Sequence, residues 1–413
     1  MAKLSVVICV YNTEESYFEN CLNSIYDSTI AKDLEVVVVD DGSTVDYSEL
    51  MKKFHKVKYF KTENKGTLAA RGFGVKQTTS PCVCFVDSDD TISFNYFEAS
   101  LTQLTNTNSD IVINDWAFHT AQSKYVCMND STIKKNLNYE GDIPIRRFMW
   151  QAGREHSFYV LWNKIFKREV LIYACEKAES QNLEKFVFAE DVLISFFAFS
   201  FAKKVTNTHL GYYFYRIHES QQISATTEQK LKNHIDSMTA VFKIMETNLK
   251  EMKIFDDVSL RFQMWKQLLC SNHYQSAKRM KFKSLYPLLT EKYDGCKLKR
   301  MPSDYSKSYM KQRVLPKNLK TIDDELKKVY YSNKYLKVYA KRNSYAFASL
   351  CTMKVLFKKK FDIVVSKKKA TFVMTKEKVL FKQKILHSDI VYKIGLVLFP
   401  KGSKIRRYLK SKL

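Results

Sequence analysis

Glycine and proline are scarce, at 10 and 6 residues in a chain of 413. With 45% apolar residues, that scarcity excludes a low-complexity or disordered chain. Cysteine pairs of the C-x-x-C kind are absent. The nine cysteines are scattered, the closest two being Cys82 and Cys84 on one expected strand. They read as reduced, buried thiols of a cytoplasmic protein, not as a disulfide or zinc framework. Long hydrophobic runs are missing too, with no window of about 18 uncharged apolar residues. The nearest, Phe186 to Ala202, contains Glu190 and Asp191. No membrane-spanning helix is therefore expected, and Met1 to Leu4 run straight into a strand without the apolar stretch of a secretory signal.

Acidic residues thin out along the chain. Residues 1–230 carry 25 Lys and Arg against 29 Asp and Glu, a net charge of −4. Residues 231–413 carry 43 against 14, a net of +29. Residues 331–413 alone hold 22 basic side chains and three acids, Asp362, Glu377 and Asp389. An extended cationic surface of this kind implies an anionic partner for the second half.

What is present is a regular alternation of apolar strands and amphipathic helices. Leu4 to Val10 is a short apolar run of buried-strand type, followed by a helix over 14–28. A second strand, Leu34 to Val39, precedes a helix over 46–54. A short strand at Val57 to Phe60 precedes a helix over 66–77, and Cys82 to Val86 is a fourth strand. Such alternation implies right-handed βαβ units and a parallel sheet. Further helices are expected near 94–105, 142–151, 168–180 and 189–202, with strands at 110–114 and 211–217 and a predominantly helical stretch over 228–340. The length allows more than one domain, since single cores stop growing at about 250–300 residues.

Polar clusters fall at the ends of strands one, two and four: Tyr11-Asn12, Asp40-Asp41-Gly42-Ser43 and Asp87-Ser88-Asp89-Asp90. In open α/β sheets the carboxyl edge is where ligands bind. Three carboxylates within four residues repel one another unless a cation lies between them. A hard divalent ion, Mg²⁺ or Mn²⁺, with substrate phosphates completing its shell, suits such oxygen ligands. The structural alternative is an acidic turn capping the helix that starts near Ser93. At residues 40–44 the glycine and hydroxyls make an ordinary turn, but two adjacent acids after an apolar strand go beyond what a turn requires. Arg71, among so many acids, either pairs with a carboxylate or contacts a diphosphate.

Leu4 to Asn12, the Val-Asp-Asp-Gly-Ser-Thr of 39–44, Gly66-x-x-x-x-Arg71 and the Asp87-Ser88-Asp89-Asp90 strand end together resemble family 2 glycosyltransferases of the inverting GT-A class, as found in bacterial surface-polysaccharide synthesis. Ala189-Glu190-Asp191 and the aromatic strand Tyr212 to Arg216 agree, so the resemblance covers residues 3 to about 220. It implies an α/β GT-A fold with a mostly parallel central sheet, followed by a predominantly helical basic C-terminal region. It also implies roles. Val10 and Tyr11 would hold the nucleotide base, and Asp40 would accept a hydrogen bond from a uracil-type base. Arg71 would fix the base or diphosphate. Asp87 and Ser88 would lie against the donor, and Asp89 would ligate Mn²⁺ or Mg²⁺, with His218 a further candidate ligand. Asp191, with Glu190 beside it, would be the catalytic base. Trp162-Asn163-Lys164 would lie on the acceptor side. Cys9, where the family commonly has proline, and Gly72, where asparagine is frequent, depart from the pattern without removing a charge.

Two other classes fit less well. A sugar-nucleotide pyrophosphorylase needs a Gly-rich, basic loop after strand one, where Tyr11-Asn12-Thr13-Glu14-Glu15 is acidic and glycine-free. A nucleic-acid-binding protein would account for the basic half but not for three acidic strand ends, and no nucleic acid partner is expected. The expected partners are a nucleotide-sugar donor, a glycan or lipid-linked glycan acceptor and an anionic membrane surface. The expected division is a catalytic domain over 1–225, a helical domain over 226–330 and a basic amphipathic region over 331–413, in a protein peripheral to the inner face of the cell membrane.

Region 331–413 interleaves Lys358-Lys359-Lys360, Lys367-Lys368-Lys369 and Arg406-Arg407 with apolar groups such as Val355-Leu356-Phe357 and Ile394 to Phe399. A solvated basic tail lacks such apolar groups. A segment lying on an anionic membrane explains both, at about 1 kcal/mol per basic residue plus burial of the apolar groups. The chain is expected to pellet with phosphatidylglycerol vesicles at low salt and to be released at high salt, whereas a chain truncated near residue 330 stays in the supernatant. Full-length protein indifferent to these vesicles would instead assign the region to an anionic glycan.

Overall fold

The computed structural model describes residues 2–119, 125–127, 136–151, 156–181, 183, 188–217, 227–294, 296 and 298, with the short strands at 313–314, 364–365 and 370–371. The expected boundaries at 225/226 and 330/331, the candidate ligand His218 and, two short strands apart, the basic region 331–413 lie outside these residues. The chain divides into two compact units, one of residues 1–121 with 128–311, the other of 122–127 with 312–413.

In chain order the elements are β1 (Leu4–Val10), α1 (Glu15–Tyr26), β2 (Leu34–Asp40), α2 (Ser48–Lys53), β3 (Lys58–Lys61), α3 (Thr67–Lys76), β4 (Cys82–Phe85), β5 (Thr91–Ile92), α4 (Tyr96–Thr107) and β6 (Ile111–His119). They continue with β7 (Tyr125–Cys127), β8 (Asn138–Glu140), α5 (Ile143–Gln151), α6 (His156–Tyr159), β9 (Lys164–Lys167), α7 (Arg168–Glu179), α8 (Glu190–Phe201), β10 (Lys204–Arg216), α9 (Glu228–Glu251), α10 (Phe255–Arg279) and α11 (Leu285–Lys292). In the second unit, β7 pairs antiparallel with Arg313–Val314, and Val364–Val365 with Ala370–Thr371.

The first unit is built on a mostly parallel sheet in the order β3-β2-β1-β4-β9-β6-β10. β1 runs parallel to β2 on one side and to β4 on the other, and β2 parallel to β3. β1 reads as an unbroken apolar run because both of its faces are covered. Leu4, Val6, Ile8 and Val10 face α1, packing with Phe18, Cys21, Leu22 and Ile25. Val7 faces the other way, into a core with Val37, Val39, Ala70, Val75 and residues of α7 and α8. On that side α3 comes close enough that a Cβ on Gly74 would lie 2.5 Å from a Val7 methyl.

Two strands differ from the sequence reading. β9, antiparallel to both β4 and β6, occupies Lys164–Lys167, where no strand was expected, and begins at the last residue of Trp162-Asn163-Lys164. β10 begins at Lys204 instead of Gly211, because its register against β6 breaks between Thr208 and Tyr212 and the polar Thr206-Asn207-Thr208 stretch precedes the break. α9 to α11 supply the helical region after the sheet. They bury Leu231, Val241, Phe242 and Trp265 in the same apolar cluster as Leu193 and Phe196 of α8, with Phe148 of α5 6.2 Å from Trp265. Among the described residues no helix is long and apolar enough to cross a membrane.

At the amino edge of the sheet, opposite the acidic strand ends, Glu35 ties four segments together. Its carboxylate accepts from Lys58 Nζ (2.6 Å), Ser5 Oγ, Thr79 N (2.8 Å) and Thr79 Oγ1 (2.9 Å). Burial disfavours its charge, but the bonds from Lys58, Ser5 and Thr79 outweigh that and hold its pKa down at about 2. A folded-state pKa below the usual 4.5 means stability present above pH 4.5 and lost as pH falls towards 2. Glu35→Gln is expected to lower the unfolding free energy at pH 7 by about 1–3 kcal/mol. The gap to wild type should close on acidification, as denaturant titrations at pH 7 and near pH 3 would read. A gap that persists unchanged at low pH refutes this role for the charge.

Candidate active site

The loops after β1 and β2 are stitched to each other. Asn12 takes the left-handed region (φ 51°), and its side-chain oxygen accepts from Thr44 N (2.8 Å) and Thr44 Oγ1 (2.9 Å). Its own N–H donates to Ser43 Oγ (2.9 Å). This leaves Tyr11, directly after β1, 47% exposed at the sheet edge, while Val10 is buried beneath it. The two acids at the end of β2 face inward to protein partners. Asp40 is fully buried, accepting from Ser43 N (2.7 Å) and Tyr59 OH (2.6 Å). Asp41 accepts from Lys65 N (2.8 Å) and Gly66 N (2.9 Å), fixing where α3 starts. Gly42 between them has φ +78°, and a Cβ there would sit 2.7 Å from Asn64 N.

Arg71 projects from α3 one turn after that anchored start. Its buried guanidinium pairs with Asp87, just beyond β4, at 3.1 Å and with Glu190, at the start of α8, at 3.2 Å. The face of Phe85 lies 5.4 Å from its central carbon. One cation thus joins a strand end to a helix start. Ala189, immediately before α8, takes the left-handed region at φ 69°, a strained choice for a residue with a side chain, and it presents Glu190 and Asp191 in succession. Asp191 Oδ1 accepts from Val192 N (2.8 Å).

The charges are unbalanced, four carboxylates (Asp87, Asp89, Glu190 and Asp191) around one arginine, and the carboxyls respond. Burial, aided by Asp89 and Glu190 and opposed by Arg71, pushes Asp87 up to about 6. Burial and the adjacent Glu190, opposed by Arg71, push Asp191 up to about 7. A carboxylate titrating near neutrality suits a group that must take a proton.

The run after β4 divides its labour. Asp90, buried, accepts from Tyr213 OH (2.6 Å) and Arg216 N (2.6 Å), clamping β10 to the strand end. The Tyr213 hydroxyl accepts in turn from Asp87 N (3.0 Å), and Arg216 Nε donates to the Asp89 carbonyl (2.7 Å). Ser88 shares a hydrogen bond with Thr13 (2.6 Å), tying this loop to the one after β1. The sequence reading placed Asp41, Asp90, Tyr213 and Arg216 within its motifs but gave them no individual role, and they hold the named residues in place. The available signal was the adjacency of extra acids and the one arginine within an aromatic strand.

Trp162, Asn163 and Lys164 are buried. Trp162 stacks on Tyr213 with centroids 4.5 Å apart and planes at 21°. Lys164 Nζ donates to Ser157 O (2.6 Å), Val160 O and Asn163 Oδ1 (2.9 Å). Burial pushes the Lys164 pKa down, yet three acceptors match the three protons of an ammonium. Geometrically this tripeptide supports the site's wall from behind. Among the described residues, no three of His, Cys, Asp and Glu converge into a metal cage.

Residues 5–172 match the profile of glycosyl transferase family 2. The chain is 28% identical over 246 residues to the glycosyltransferase GlyA of Streptococcus pneumoniae, a match covering 57% of this chain and 34% of GlyA. The chain therefore spans about a third of that protein. It is 26% identical over 252 residues to the putative glycosyltransferase EpsH of Bacillus subtilis, covering 60% of this chain and 69% of EpsH. A structure of Staphylococcus aureus TarS 1–349 in complex with UDP-GlcNAc aligns over 81% of this chain and 94% of its own, at 18% identity and a TM-score of 0.42. With the Asp40, Arg71, Asp87 and Glu190–Asp191 positions assembled on one sheet edge, residues 5–172 form a segment of the glycosyl transferase family 2 type.

Proposed function

We propose that this glycosyltransferase takes its sugar from a nucleotide diphosphate donor, UDP-linked by preference, and passes it with inversion to a hydroxyl of a glycan or lipid-linked glycan. The setting we propose is cell-surface polysaccharide synthesis at the inner face of the membrane, a reading that rests on the family resemblance and the basic region. The observation that carries the donor and base assignment is the Asp87–Arg71–Glu190 bridge, which draws Asp191 to the same edge as the acids after β4.

Tyr11, exposed above Val10, offers its ring to the base. Both Asp40 oxygens are engaged, so Asp40 acts through the Ser43 turn that it holds. Asp87 and Ser88 lie along the donor, with Asp87 kept from swinging away by Arg71. Glu190 is the second anchor of Arg71, which leaves Asp191 as the base. Its pKa of about 7 lets it hold the proton of an attacking hydroxyl and release it to water between turnovers.

The residues fit a divalent ion of the Mg²⁺ or Mn²⁺ type. Such ions are commonly held by one or two carboxylates with substrate phosphates completing the shell, and Asp89 with Asp87 close by supplies that set without a protein cage. When bound, such an ion would neutralise charge developing on the diphosphate leaving group.

Purified protein incubated with a panel of UDP-, GDP- and CMP-sugars and Mn²⁺ should release UDP in preference to the other nucleotides. EDTA should stop the release reversibly, and Asp89→Ala should abolish it while leaving the circular dichroism spectrum and melting temperature intact. Undiminished release in EDTA removes the metal from the mechanism.

Asp191→Asn keeps shape but cannot accept a proton, so kcat should fall by roughly 10²–10⁴ with donor affinity little changed. Because the folded-state pKa is raised to about 7, wild-type kcat/KM should climb as pH rises through 7 and level off above it. Lost donor affinity with kcat retained would move the base to Glu190.

A further inference from the structure

Strands β6 and β10 form a ladder of aromatic pairs on one face of the sheet. Their parallel register sets Tyr213 beside Trp116 and, one rung further towards the carboxyl edge, Tyr215 beside Phe118. Alternation along each strand puts both rungs on the same face. The inner rung is buried, with Trp162 stacked on Tyr213 and standing 5.0 Å from Trp116. The outer rung is only half-buried. Phe118 meets Tyr215 edge-on, with centroids 5.7 Å apart and planes at 71°, and Trp162 backs Tyr215 at 5.5 Å.

The outer rung borders the acidic edge. Arg216, the residue after Tyr215, gives its N–H to Asp90 and its Nε–H to the Asp89 carbonyl. The neighbouring Tyr213 hydroxyl already touches Asp90 and Asp87 N. The inner rung completes the core. The outer rung adds two partly buried rings, backed by Trp162, towards the carboxyl edge of the sheet. Binding sites for small polar molecules are commonly lined by aromatic rings with a few placed polar groups.

We propose that the Phe118–Tyr215 rung is the subsite for the acceptor's pyranose ring, packing its C–H face on the rings while its attacking hydroxyl points towards Asp191. This deepens the glycosyltransferase reading and rests on it for the identity of the base. It also relocates acceptor recognition from Trp162, Asn163 and Lys164 to the surface that they support.

The test is direct sugar binding to the full chain. The probes are the methyl β-glycosides of glucose, galactose and N-acetylglucosamine, read by quenching of tryptophan fluorescence (Trp162 backs the rung) and by saturation-transfer NMR. Wild type should bind at least one glycoside saturably. Tyr215→Ala and Phe118→Ala should weaken it about tenfold, equivalent to ~1.4 kcal/mol, while Tyr215→Phe stays within about twofold because the stacking face is kept. Titration with UDP should be unchanged in all three. Tyr215→Leu, which keeps apolar volume but loses the ring, serves if the alanine variant fails to fold, and the same weakening is expected. The inference is overturned if no glycoside binds wild type, or if binding is indifferent to loss of the Tyr215 ring. Tyr215-dependent binding in a protein that turns over no nucleotide sugar would sink the donor assignment and leave the sugar subsite standing.

Discussion

The site depends on how a buried arginine is satisfied. A guanidinium stripped of water is strongly unfavourable unless carboxylates take water's place, and removing one partner of such a pair typically destabilises by about 3–5 kcal/mol. Arg71 is met by Asp87 and Glu190, which arrive from elements more than a hundred residues apart in sequence. Its demand therefore sets the separation of β4 and α8, and with it the position of Asp191, which follows Glu190. Arg71 sits on α3, and Asp41 fixes where that helix starts by accepting from Lys65 N and Gly66 N just before it.

Burial and then the neighbouring carboxylates raise these acids above the ordinary range, and Arg71 offsets the rise only in part. Arg71 cancels one negative charge, leaving three carboxylates in excess in a poorly hydrated edge. Protonation of Asp191 near pH 7 and of Asp87 near pH 6 relieves the repulsion. Glu35, at the opposite edge, shows what hydrogen-bond donors do to a less deeply buried carboxyl. It too is desolvated, yet donors from Lys58, Ser5 and Thr79 surround it and its pKa falls to about 2. One edge supplies donors and makes a permanent anion that holds strands together. The other withholds them and makes a carboxyl that can exchange a proton.

Much of this was legible in the sequence because the governing patterns are local. Strands β1, β2 and β4 are apolar runs ended by polar clusters, and the helices between them carry apolar residues at helical spacing, so the parallel sheet and its ligand-binding edge could be read directly. What was hidden depends on pairing between distant segments. Lys164–Lys167 looks like part of a loop until two antiparallel neighbours, β4 and β6, claim it. Lysine and asparagine read as surface residues, and nothing local indicates that Ser157 and Val160 offer carbonyls to bury Lys164. Likewise the Asp87 to Asp90 run looks uniform in sequence, and only the arrival of β10 singles out Asp90 as a clamp.

Strain at the edge follows from the same division of labour. Asn12 and Ala189 both sit in the left-handed region, a conformation that costs of order 1–3 kcal/mol for such residues. Asn12 recovers part of that through the bonds its side chain makes to Thr44, so its strain stitches one loop to the next. Ala189 has no polar side chain with which to do the same. What holds it is the residue after it, since Glu190 must reach Arg71 while α8 buries Val192, Leu193, Phe196 and Phe197 in the core. Packing fixes the helix, the ion pair holds its first residue, and the left-handed turn at Ala189 lies directly before both. The proposed base is therefore held between two constraints, the ion pair of Glu190 on one side and the packed residues of α8 on the other, which leaves Asp191 little freedom to drift from the edge.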